Sequence, residues 1–182
     1  MMDDVLPPKE AASSIPEVSL EERWNFVIRR LGVKDRKEVA ELISGLALSD
    51  HELRLVHVLK DLKKFPQTEM ADGDQVCGTA FGVERFQFDG GPELCGVMGL
   101  AELPYRNKAE FSIIVAPQYR NRGLGYSMIQ YLIAYAQYQG LKKITASVAD
   151  SNKAMLKICR RLGFIIKTDR NNVSTNVVAL ML

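Results

Sequence analysis

Arginine and glycine share the short segment Pro117-Gln118-Tyr119-Arg120-Asn121-Arg122-Gly123-Leu124-Gly125. An apolar, strand-like run at 111–116 enters it, and a long amphipathic, helix-like pattern leaves it. The chemistry this arrangement suits is anion binding. The first N–H groups of a helix have no partner within the helix, and the helix dipole adds positive potential at that end. Gly123 and Gly125 have no Cβ, so backbone can approach a bulky phosphate closely and take up positive φ where the turn needs it. Arg120 and Arg122 add fixed charge with forked donors. The same residues also suit an ordinary polar turn, so the choice between cradle and turn depends on what surrounds them.

The surroundings are basic. Residues 117–163 hold eight Lys or Arg against one acid, Asp150. Such local asymmetry favours an anionic ligand or surface, with some of the lysines simply on a solvated helix face. The net charge of +2 is too small to imply nucleic acid as the partner. Other chemistries find less support. His51 and His57, six residues apart, fall on different helix faces with no Cys or carboxylate cluster beside them, so a structural role is expected rather than a metal. Cys77, Cys95 and Cys159 are too widely spaced for a zinc pattern, odd in number for a disulfide framework, and set in apolar surroundings that suit packing. A P-loop needs lysine and Ser or Thr after its second glycine, where this chain has Tyr126. The G-x-G-x-x-G of a dinucleotide fold is absent.

The elements that position the segment follow from the apolar periods. Residues 1–18, with Pro7, Pro8 and Pro16, read as a loosely attached arm. A helix is expected from Ser19, with Trp24, Val27, Ile28 and Leu31 as its stripe and Gly32 as its stop. A second is expected over 35–46 and a third from Ser49, which together make 19–66 a helical extension. Beyond residue 70 the period becomes strand-like. Runs at 76–88, 94–103 and 109–116, separated by turn residues, predict an antiparallel meander that feeds the glycine segment, with Phe81, Val83, Phe86 and Phe88 as buried candidates. A helix over 123–139, a strand over 142–149, a helix capped by Asn152 and a closing hairpin complete a core over 70–182. The sum is an α+β fold with a mixed sheet and two covering helices. The 182 residues suit one domain, and 47% hydrophobic residues give material for its core. The acidic start, Met-Met-Asp-Asp, and the lack of a long apolar run make the cytoplasm the expected compartment.

Two stretches decide between cradle and turn. Arg120-Asn121-Arg122-Gly123-Leu124-Gly125 resembles the (Q/R)-x-x-G-x-(G/A) loop of the GNAT N-acetyltransferase superfamily, and the run from Asn152 to Arg161-Leu162-Gly163-Phe164 resembles that superfamily's Asn-to-Gly-Phe helix. The resemblance covers about residues 76–182. It implies a mixed, mostly antiparallel GNAT sheet behind the N-terminal helices, with acetyl-CoA as co-substrate. Backbone groups of Ile113, Ile114 and Val115 would pair with the pantetheine arm, amides from Arg120 to Gly125 would hold the diphosphate, and Asn152 would bond the arm where two parallel strands part. Lys108-Ala109-Glu110-Phe111 resembles the same strand in bacterial protein-lysine acetyltransferases, where the glutamate is the base. The implied reaction is direct transfer of acetyl to an amine with Glu110 as base, the acceptor being a protein lysine or, as the alternative, a small-molecule amine. Cys159 stands where many members have an acidic tyrosine, which leaves Tyr126 and Tyr131 as other donors. A noncatalytic acyl-CoA sensor is the reading from a different class, and an anion- or nucleic-acid-binding module is a third that the strand and loop context argues against.

Overall fold

The meander expected between residues 76 and 116 forms the middle of a seven-stranded sheet. The computed structural model describes residues 26–44, 78–86, 91–103 and 107–182. Strands β2 (Gly78–Phe86), β3 (Pro92–Leu103) and β4 (Lys108–Val115) pair antiparallel in chain order. One irregularity interrupts them. Val83 pairs with Gly96 and Glu84 with Leu94, so Cys95 is the extra residue of a bulge on β3. After β4 come helix α2 (Leu124–Tyr138), strand β5 (Lys143–Ala149), helix α3 (Lys153–Arg161) and the hairpin of β6 (Ile165–Thr168) with β7 (Thr175–Met181). Strand β5 runs parallel to β4, and β7 lies antiparallel between β5 and β6. The α+β class and the mixed, mostly antiparallel sheet are as expected.

The first expected helix is different. Residues 26–30 form strand β1 (Phe26–Arg30), which pairs antiparallel with β2 from Phe26↔Arg85 to Arg30↔Phe81. Trp24, Val27, Ile28 and Leu31 have helical spacing, yet Phe26 and Ile28 are buried while Val27 and Arg29 are half-buried, which is a strand's alternation. A run this short satisfies both periods, and the open edge of β2 decides in favour of the strand. A short 3-10 turn (Val33–Asp35) leads into helix α1 (Arg36–Ser44), close to the second expected helix. The third expected helix, with His51 and His57, and the boundary near residues 66–70 lie outside the described residues. Since β1 extends the sheet and α1 packs on β3, residues 26–44 build on the same core as the meander.

The sheet is covered on both faces. On one, α2 and α3 bury Met128, Leu132 and Leu156 against Met98, Phe111 and Ile144. The ring of Phe81 meets Tyr131 and Tyr135 edge-on at 5.1 and 5.0 Å. On the other face, Val39 of α1 packs with Leu31, Ala80, Leu94, Val97 and Ile114. Phe86, expected inside, is 52% exposed at the end of β2.

Helix α1 is also held by charge. The Arg29 guanidinium bonds Glu84 at 2.6 Å through Nε and Asp35 at 3.0 Å through Nη2, and both carboxylates are buried. Asp35 also accepts from the Gly32 amide at 2.6 Å. Arg29 is the cation these two acids share, so its removal leaves buried negative charge without compensation. Arg29→Met should destabilise the protein by about 3 kcal/mol in urea unfolding, and adding Glu84→Met should recover part of the loss. An unchanged midpoint for the single variant would show that the cluster holds nothing together.

Candidate active site

Strands β4 and β5 are paired over three rungs only, from Lys108↔Lys143 to Glu110↔Thr145. Each continues along its other neighbour, β4 with β3 to Val115 and β5 with β7 to Ala149. Beyond Glu110 and Thr145 the two facing edges therefore diverge. A cleft of about 810 Å³ opens between them, walled by Ile113 and Val115 of β4, Ala146 and Val148 of β5, and Met155 and Ile158 of α3. Ser112 and Ser147 line it as well, so the cleft reaches between the strands.

Backbone direction decides what the edge of β4 offers. The Ala116 amide donates to the Cys95 carbonyl of β3 at 2.9 Å. Alternation along a strand then turns the polar backbone of Ile114 toward β3 and that of Ile113 and Val115 toward the cleft. The side chain of Ile114 is buried on the α1 face. Of the three residues expected to meet the pantetheine arm, Ile113 and Val115 turn their backbone to the cleft and Ile114 turns its backbone to β3.

The glycine segment follows at the end of β4. Pro117–Tyr119 forms a 3-10 turn that Tyr119 anchors, its ring edge-on to Phe26 at 5.9 Å and its hydroxyl donating to Glu93 at 2.6 Å. Burial, and then the bond to Glu93, push the Tyr119 phenol up to about 12, so the hydroxyl keeps its proton and remains a donor. Asn121 and Gly123 then adopt positive φ, +59° and +86°, and α2 begins at Leu124. The Arg120 amide is already used by the Pro117 carbonyl at 3.2 Å. Among the described residues, the amides of Asn121, Gly123, Leu124 and Gly125 donate to no backbone carbonyl. A Cβ on Gly125 would stand between Ile158 and Ile113, at 3.5 and 3.6 Å from their methyl groups, and would occupy the cleft. Unused amides at a helix start, beside a space kept open by glycine, fit a diphosphate.

Asn152 closes the opposite side of the cleft. Its side-chain oxygen accepts from the Met155 amide at 3.1 Å, an N-cap on α3, and it lines the cleft. Arg120, Asn121, Gly123 and Gly125 line it too. Arg122 lies exposed on the turn, and the Leu124 side chain is buried in the core, which leaves Leu124 its amide as its contribution. Glu110 is half-buried at the last rung before the strands part, outside the cleft wall. Alternation with buried Ala109 and Phe111 places its side chain on the sheet face away from α2 and α3.

Two basic lining residues, Lys157 and Arg161, entered the reading of the sequence only as local charge, and Tyr126 entered it only as an alternative proton donor. Tyr126, Lys157 and Arg161 face the cleft, with the Arg161 guanidinium 4.8 Å from the centre of the Tyr126 ring. The spacing of Ala154, Lys157, Ile158 and Arg161 along one helix face is the signal that could have found the two basic residues. Cys159, by contrast, is fully buried and does not line the cleft; burial pushes its thiol up to about 11. Tyr131 packs on Phe81 in the core. Among the residues described, none of the His, Cys, Asp and Glu groups could hold a metal, and no helix is long and apolar enough to cross a membrane.

Residues 49–164, more than half of the chain, match the acetyltransferase (GNAT) family. The chain belongs to that family. This GNAT acetyltransferase is 25% identical over 160 residues to acetyltransferase PA5475 of Pseudomonas aeruginosa, covering 88% of this chain and 85% of that one. Over 62 residues it is 39% identical to an L-methionine sulfoximine/L-methionine sulfone acetyltransferase of Pseudomonas paraeruginosa, 34% of this chain and 36% of the other. Its fold is similar to the GNAT domain of S. lividans PAT, with a TM-score of 0.66 at 16% identity, over 92% of this chain and 96% of that one. The family assignment makes the chain an N-acetyltransferase with acetyl-CoA as co-substrate, and the cleft holds the donor set such a cofactor needs.

The Asn152 side chain divides its roles by atom, Oδ1 to the helix cap and Nδ2 left to the cleft. Asn152→Asp keeps the acceptor and removes the donor; Asn152→Ala removes both. Thermal unfolding should show about 1 kcal/mol lost in the alanine variant and little in the aspartate variant. Coenzyme A titrated by calorimetry should bind more weakly to both. Normal binding to both variants would reduce Asn152 to a cap.

Proposed function

We propose that this GNAT enzyme acetylates a protein lysine directly, with Glu110 as the general base. The position of Glu110 carries the proposal. It occupies the last β4–β5 rung, so its carboxylate sits beside the opening through which an acyl group held along β4 would meet an acceptor on the far face of the sheet. The ammonium group of a lysine has no lone pair, so a proton must leave before nitrogen attacks. Glu110 takes that proton, directly or through a water. The amine then attacks the thioester carbonyl, forming a C–N bond and breaking the C–S bond. Coenzyme A departs as a thiolate and takes up a proton. The Ile113 and Val115 amides, which face the cleft, are the donors that would stabilise the carbonyl oxygen as negative charge develops. A buried Cys159 is not needed as an acid, because a thiolate leaves readily without one.

The protein-lysine acceptor rests on the motif resemblance around Glu110. A small amine is the second reading, favoured by the local 39% identity to the L-methionine sulfoximine/L-methionine sulfone acetyltransferase. Intact-mass measurement after incubation with acetyl-CoA and a panel of proteins and amines separates the two. Once an acceptor is found, Glu110→Gln should lower kcat/KM by about a hundredfold or more while coenzyme A still binds. Acetylation of small amines alone would sink the lysine assignment, an active Gln variant would sink Glu110 as base, and no acetylation of any acceptor by wild type would leave the sensor reading in place.

A further inference from the structure

We infer that the Arg120 side chain is a positioning latch on the open edge of β4, and that its contribution to cofactor binding comes from this bond more than from its charge. The Arg120 Nε donates to the Val115 carbonyl at 3.0 Å. That carbonyl faces the cleft, because Ala116, the next residue, bonds β3. Without Arg120 it would be an acceptor on the unpaired edge, open to water or to a misplaced donor from the ligand. With Arg120 in place, the last rung open to the pantetheine arm is the Val115 amide.

The bond also joins two halves of the site. Val115 ends the strand edge that faces the arm, and Arg120 begins the loop whose free amides face the diphosphate. Pro117–Tyr119 is fixed to the sheet through Glu93 and Phe26, and the amide of Arg120 is fixed to Pro117. The side-chain bond closes this turn back on β4, holding the start of the loop at a set distance from the strand. Arg120 is exposed, so its charge is screened by solvent and weakens with distance, whereas the bond is short and directional.

The inference rests on the acetyl-CoA site and not on Glu110 or the choice of acceptor. Gln places its amide nitrogen the same number of bonds from the backbone as the Nε of Arg, without the charge. Lys keeps the charge but carries its nitrogen one bond further. Coenzyme A binding to the full chain is measured by calorimetry for wild type, Arg120→Met, Arg120→Gln and Arg120→Lys, with thermal unfolding as the control for folding. Arg120→Met should raise Kd about tenfold, Arg120→Gln should recover most of that, and Arg120→Lys should stay close to the Met variant. Tighter binding by the Lys than the Gln variant would assign Arg120 to charge and overturn the latch, as would wild-type affinity in Arg120→Met. A wild type that does not bind coenzyme A would instead overturn the reading of the cleft itself.

Discussion

The three-rung parallel contact between β4 and β5 is the constraint on which the rest of the site depends. Parallel neighbours cannot be joined by a tight turn, so the chain must leave the sheet and return through a crossover, here the glycine segment and α2. Both strands keep a full-length partner on their outer side. Their divergence therefore exposes one edge of each without unpairing either strand from the sheet. Backbone polar groups on those edges still need partners, from water, side chains or a ligand. Arg120 serves one of them, at Val115. An extended arm that adds to the rest of the edge is the arrangement that suits what remains.

The same divergence sets a helix start on each side of the cleft. Helix α2 begins after β4 and α3 begins after β5, so the first turns of both lie outside the carboxyl ends of neighbouring parallel strands. The dipole of α2 and the basic residues Arg120, Lys157 and Arg161 place positive potential where a diphosphate would lie, beside the loop of Asn121 and Gly123. The parts of this field differ in rigidity. The loop amides are fixed by the turn at Asn121 and Gly123 and cost no ordering on binding, whereas Lys157 is a flexible charge in solvent. Arg161 lies between these cases, because stacking on Tyr126 restrains its guanidinium.

The parts of this architecture that were legible in the sequence are those governed by local signals. Gly123 announced the positive φ before α2, Asn152 announced a cap, and the alternation in β2 to β4 announced the meander. Strand β1 was not legible, because residues 26–30 fit both periods and the open edge of β2 decides between them. Phe86 looked like core from its type alone, yet it is the last residue of β2 and is exposed. The apolar surroundings of Cys159 suited packing although it stands where related enzymes have a tyrosine, and Cys159 does turn inward into the core. The backbone directions of Ile113, Ile114 and Val115 depend on which residue first bonds β3. That register is a tertiary fact no residue type announces.

Strand β4 does different work at its edge and on its faces. In-plane backbone groups point to β3 or to the cleft, while side chains stand above or below the sheet. A ligand held along the edge at Ile113 and a base carried on the face at Glu110 therefore do not compete for space. Their separation is set by the strand itself: three residues span about 10 Å. On the proposed mechanism, that is more than a carboxylate covers alone, so the proton of an acceptor nitrogen held near Ile113 reaches Glu110 through a water, and passes directly only from a nitrogen that enters on the Glu110 side. Ser112 and Ser147 supply hydroxyl groups along that stretch of the cleft. The rung Glu110↔Thr145 fixes where the stretch begins, and the Arg120 bond to Val115 fixes where it ends. Between those two points the strand is long enough for the acyl end of the cofactor and the amine it meets.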